Sequence, residues 1–198
     1  MGSYYYLIAQ LPFLTYEQKP PMSSAAFKAL SESMMLEDDA AIIGHLSLDP
    51  APAGSEGLSY AEPALPTGCG FIDGWREWER SLRLNLAKHR SIKIKRENVL
   101  TFEPPFYPAD AAAAALKAVT GDFSPLEAEI FLDRARWNAI ENLAGNDFFD
   151  RNNIYAYFLK LMLLERRQEF NVEKGFAEYK SLYASIIDSA QNTVGEPK

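Results

Sequence analysis

The residues that most often carry chemistry are scarce in this chain. One cysteine, Cys69, excludes an internal disulfide framework and suits a reducing cytoplasm. The two histidines, His45 and His89, stand alone, with neither His-x-x-x-His nor Cys-x-x-Cys spacing. A metal site would need carboxylates gathered from distant segments, and none is expected. His45 sits beside Ile43 and Leu46 and reads as partly buried, while His89 lies in a basic run and reads as facing solvent. Cys69, between two glycines, would be a nucleophile only beside a base that the sequence does not reveal.

Glycine forms no phosphate cradle. In "GCGFIDG", residues 68–74, the third glycine falls one position late for G-x-G-x-x-G, and no apolar strand precedes it. Walker and G-x-S-x-G motifs are absent, so no cofactor is expected. Long apolar runs are missing too. The eleven residues Ile154–Leu164 include Lys160 and fall short of the about 20 that a bilayer demands. At the N-terminus no basic region leads into an apolar stretch, so no signal peptide is expected, and Tyr6 spoils a myristoylation motif at Gly2.

Positive charge is also short overall. A net charge of −7 argues against a dedicated nucleic-acid binder. Residues 76–96 run the other way, with eight Lys or Arg against two Glu, a local +6 that leaves −13 on the rest. Trp75 and Trp78 interleave with Arg76, Arg80 and Arg83 there, but they share an apolar stripe with Leu82 and read as core. The basic run is either a solvated helix face or a docking surface for an acidic partner.

What the chain does contain is helix signal. At 198 residues with 47% hydrophobic content it fits one soluble globular domain. The expected fold is mostly α: a multi-helix bundle with a long Pro/Gly-rich loop and at most a short strand pair. Residues 1–48 read as an N-terminal helical segment, 49–68 as a loop or linker, and 69–198 as the main bundle. Ser23 or Ser24 can cap a helix with Phe27, Leu30 and Met34 on one face. The acids of "LEDDAAIIG" suit a first turn. Ile72, Trp75, Trp78, Leu82 and Leu86 recur at three- and four-residue steps. "SPLE" at 124–127 predicts a capping box, and Gly145 a left-handed stop. Phe176, Tyr179, Leu182 (or Tyr183) and Ile186 form a further stripe. "FEPPFYP" at 102–108 breaks regular structure, and "SIKIKRENVLTF" at 91–102 alternates as a short strand or extended loop would.

Among carboxylates, Glu129 and Asp133 share a helical face with Arg136 one turn on. They are the residues a small carboxylate-dependent enzyme would use; the plainer reading is an exposed face with an Asp133–Arg136 pair. The stretch Ile154–Leu164 is apolar on nearly all sides, as a helix surrounded by others would be. At its end Glu165 follows the core spacing and could meet an arginine, while Arg166, Arg167 and Glu169 are expected to project outward.

Two stretches carry a resemblance. "YYYLIAQLPFL" followed by "PPMSSAAF" resembles an uncharacterised bacterial family whose members are encoded beside V-type ATPase subunits. "IYAYFLKL" running into "ERRQEFN" is similar to the late helices of the C-type subunit of V/A-type ATPases, the d-type subunit of eukaryotes. This chain is much shorter than the C-type subunit, which is a funnel of repeated helical units. The resemblance implies a helical, non-catalytic subunit or assembly factor of a V-type ATPase. Such a protein would be cytoplasmic, peripheral to the membrane at most, and would dock on stalk or membrane-ring subunits. Charge placement then nominates Arg76, Arg80, Arg83 and Arg90 for partner binding, followed by Arg166, Arg167 and Glu169.

Overall fold

The structure is a computed structural model that describes residues 4–48, 65–95, 103–169 and, near the C-terminus, Phe176, 179–183 and 185–187. Most of the expected 49–68 loop and residues 96–102 lie outside the described set. Within it the elements are α1 (Tyr5–Gln10), α2 (Ser24–Met34), α3 (Glu37–Ile43), α4 (Gly70–Lys93), α5 (Ala109–Thr120), α6 (Pro125–Ala144) and α7 (Arg151–Glu169). The described C-terminal residues are helical as well, and no strand occurs among the described residues. The mostly-α class is therefore observed. The alternating "SIKIK" is the exception to the sequence reading: residues 91–93 complete α4 and Ile94 ends it, so the described part of that segment is helix and turn rather than strand.

Local chemistry explains the boundaries. The Ser23 hydroxyl accepts from Ala26 N–H at 3.1 Å and starts α2. Glu37, Asp38 and Asp39 occupy the first turn of α3, facing the positive end of its dipole. At α6 the full capping box forms: Ser124 Oγ accepts from Glu127 N–H at 3.3 Å, and Glu127 accepts from Ser124 N–H at 2.8 Å. Gly145 ends that helix at φ 76°, ψ −162°, a region that side chains with a Cβ avoid.

The helices assemble around two long partners. α4 lies against α5 and α6, and α6 against α5 and α7, while α2 and α3 pack on α7 from another side. α5 approaches α4 through buried alanines at 111, 114, 115 and 118. Gly74 permits a similar approach of α4 to α6, since a Cβ there would stand 2.8 Å from Leu143 Cδ2. α7 is enclosed as its composition demands, with Ile154, Tyr155, Leu159 and Leu161 completely buried. Among the described residues, no helix is long and apolar enough to cross a membrane. Trp75 and Trp78 are core, stacked at 5.9 Å, and each indole N–H has an acceptor at 2.8 Å, Ser47 O and Asp110 Oδ2 respectively.

Candidate functional site

Polar side chains inside this core form a connected ion network. Glu79 of α4 is 0% exposed, and Asp133 and Arg136 of α6 are 1% and 5% exposed. The Arg136 guanidinium bridges them: Nη2 donates to Glu79 Oε1 at 3.0 Å, Nε to Glu79 Oε2 at 3.1 Å, and Nη1 to Asp133 Oδ1 at 3.0 Å. Arg83 Nε donates to Glu79 Oε1 at 3.0 Å from one side, and Arg166 of α7 donates to Asp133 Oδ1 from the other. Two carboxylates thus meet three guanidiniums where α4, α6 and α7 converge. Burial works against the charge on Arg136, but Glu79 and Asp133 outweigh it and raise its pKa. Asp133 Oδ2 and Arg166 Nε are buried without partners. They are an acceptor and a donor on side chains already bonded to each other, so a side-on fork would satisfy both.

Several expectations need correcting here. Asp133 and Arg136 do not form an exposed pair; they are enclosed. Glu165 meets no arginine among the described residues: its Oε1 accepts from Ser24 N–H at 2.7 Å, at the first turn of α2. Arg166 and Arg167 were expected to project outward and instead turn back, Arg166 to Asp133 and Arg167 to the Tyr16 carbonyl at 2.8 Å. The cause is the same for both. The segment after α1 runs along α7 and presents carbonyls, while α6 presents a buried carboxylate. The Tyr16 ring is held between Arg134 and Arg167, 4.9 and 4.7 Å from its centroid. Glu169 closes α7, and its side chain lies outside the described set.

The four arginines of α4 are not equally available. Arg80 forks onto Glu77 at 2.7 and 2.8 Å, and Arg83 reaches both Glu79 and the Leu48 carbonyl. Arg90 is exposed, 3.7 Å from Glu129. Arg76 is half-buried near Asp73. Burial would raise the Asp73 carboxyl, but hydrogen bonds from the Thr67 N–H and hydroxyl hold it below the usual range. His45 is exposed rather than partly buried, since it follows the end of α3 in a turn. His89 is half-buried rather than fully solvent-facing, and burial, with Lys88 beside it, lowers its pKa. Cys69 is buried. Among the described residues, no cluster of three or more His, Cys, Asp or Glu is placed to hold a metal ion.

A second polar knot centres on Asp39. Its carboxylate accepts from the Tyr4 hydroxyl and from Arg151 Nη1 at 2.9 Å, and its carbonyl accepts from Tyr155 at 3.1 Å. Burial would raise the Asp39 carboxyl, but the Tyr4 and Arg151 hydrogen bonds hold it below the usual value. Burial and the same carboxylate push Tyr4 up to about 12.

The described surface also holds a cleft of about 500 Å³ between α1, its following loop, the end of α6 and the first half of α7. Its walls are Ile8, Leu11, Leu14, Ala144, Ala156 and Tyr157, with Glu141, Asn153 and Lys160 supplying polarity. Phe13 and Phe148 stand at its mouth, 88% and 71% exposed. None of the residues nominated from sequence for partner binding lines it.

The α4 member of the network carries a sequence signal. Glu79 lies four residues after Trp75 and three before Leu82, on the very stripe that defines the buried face. An acid at such a position is a candidate for an interior ion pair.

Residues 114–190 match the model of a family described as a protein of unknown function, DUF2764. That span holds α6 and α7, hence Asp133, Arg136 and Arg166, but not Glu79. Among curated proteins and solved structures, none matches the chain.

Proposed function

We propose that this chain is a helical, non-catalytic interaction protein that docks on V-type ATPase subunits, as one of the complex's own components or as an assembly factor. The observation that carries the interaction reading is the exposed apolar stripe of the C-terminal helical residues. Phe176, Tyr179, Leu182, Tyr183 and Ile186 are all exposed, and Tyr179 and Tyr183 stack one turn apart at 6.2 Å. A row of large apolar side chains left in water marks a surface that a partner covers. The carboxylates a catalytic reading would use support the same reading. Asp133 is enclosed and held by Arg136 and Arg166, and Glu129 faces Arg90, so these groups serve packing and charge balance.

The choice of partner rests on two sequence likenesses: residues 4–27 resemble an uncharacterised family encoded beside V-type ATPase subunits, and residues 154–171 resemble the late helices of the C-type subunit. Docking would take place on the cytoplasmic side, against stalk or membrane-ring subunits. Arg90, with Arg76 about four turns earlier on α4, would supply the electrostatic part, because charge complementarity governs encounter more than final affinity. Affinity capture of the full chain from its native cell tests this. Recovery of V-type ATPase subunits is expected, reduced by Tyr179→Asp with Tyr183→Asp and slowed in onset by Arg76→Glu with Arg90→Glu. Recovery without any ATPase component removes the assignment.

A further inference from the structure

The cleft between α1, α6 and α7 is separate from the C-terminal stripe and from the α4 arginines, and its chemistry is more specific than its shape. Its volume, about 500 Å³, lies in the range of sites that enclose a ligand or a row of side chains. Its walls are aliphatic, and Phe13 and Phe148 extend them into solvent. Two helices end at it. Ala144, the last residue of α6, and Gly145, which caps it, line the cleft, as do Ile8 and the cap Leu11 at the end of α1. Neither helix has a basic residue in its last turn. Helix C-termini carry partial negative charge on unpaired carbonyls, and a cation is what normally offsets it.

The side chains reinforce this polarity. Glu141 lines the cleft and is half in water. Asp147, next to Phe148 but outside the lining itself, accepts the Asn153 amide at its carbonyl and the Phe149 N–H at its carboxylate, the latter at 3.0 Å. The one cation in the lining, Lys160, is already committed: it donates to Glu141 at 3.0 Å and lies 4.8 Å from the Trp137 ring centroid. Two helix C-termini therefore border an apolar floor, and the resident lysine balances only Glu141.

We propose that this cleft docks a basic amphipathic segment of a partner protein, with apolar side chains between α1 and α7 and a lysine or arginine at the C-termini of α1 and α6. Helix-in-groove binding supplies the geometry, since anchors at three- and four-residue spacing fit a trough of this kind. The net charge of −7 favours approach of such a segment. This site does not depend on which complex the chain joins.

The test uses the full chain and two synthetic helices of about 14 residues, one of leucine and lysine and one of leucine and glutamate in the same pattern. The lysine peptide is expected to bind at least about tenfold more tightly, measured by fluorescence anisotropy. Phe13→Lys with Phe148→Lys changes two exposed residues and should weaken it by about tenfold or more. The same two charges placed on α5, through Ala113→Lys with Thr120→Lys, should have much less effect. Equal binding of both peptides, or equal loss from the α5 variant, overturns the proposal. So does failure of the full chain to bind, whether cross-linking from Phe148→Cys then traces the cleft's occupant to residues 176–187 or to a second copy.

Discussion

Arg136 decides the character of the core at the scale of single residues. A buried guanidinium between two carboxylates gains little net stability over a well-packed apolar group, yet removing one partner strands the others. Glu79→Gln is therefore expected to lower unfolding free energy by about 3–5 kcal/mol, read from urea denaturation. Replacing Glu79 and Arg136 together with methionine should cost much less than the sum of the single changes, because no charge is left stranded between them. A pair of singles that add to the double would contradict the coupling. At Asp39 the expectation is about pH. Its carboxyl is held below the unfolded value, so its stabilisation is complete above about pH 4 and fades as pH falls through the lower folded value. Tyr4 and Tyr157 are pushed up to about 12, and burial is the leading cause in both. Their contribution is present below about pH 10 and is lost as pH rises from there towards 12. Denaturation midpoints across pH should fall at both ends. Tyr157→Phe should flatten only the alkaline side, and a change on the acid side would contradict the assignment.

Among the elements, the helix ends were the most legible features. "SPLE" specified its capping box through local geometry alone, and Gly145 its stop, because both depend on residues within one turn. Ser124→Ala should cost about 1 kcal/mol. Gly145→Ala should cost about 1–3 kcal/mol, since its backbone lies where glycine alone is comfortable. Thermal or urea unfolding measures both, and a neutral Gly145→Ala would mean the turn can be rebuilt. α7 was legible as an enclosed helix from its unbroken apolar composition. What its charged end would do was not. Arg166 and Arg167 find their partners 33 and 151 residues away in sequence, on α6 and on the segment following α1. Glu165 caps a helix 141 residues earlier. Periodicity shows which face a residue occupies, but not which polar group the opposite element presents there. The same limit hid Glu79, whose position on the stripe was visible while its arginine partner was not.

Over the whole molecule, the mostly-α bundle was readable because three- and four-residue apolar steps mark α4 and near-continuous apolar residues mark α7. The cleft was not, since Ile8, Leu11, Ala144 and Ala156 meet only when α1, α6 and α7 assemble. Sequence composition pointed towards basic arginines as the contact surface. Arg80 and Arg83 have carboxylate partners within α4, which shifts attention to the exposed apolar side chains of Phe176, Tyr179, Leu182, Tyr183 and Ile186 and to those around the cleft. Under the proposed function these would be the binding surfaces, while the ionic groups inside the bundle link α4, α6 and α7. Mixing the purified full chain with a purified V-type ATPase and following both by sedimentation tests this account most directly. It predicts a co-migrating complex that Tyr179→Asp with Tyr183→Asp abolishes while the variant keeps its helical circular dichroism. Separate migration of the folded full chain and the ATPase would contradict it.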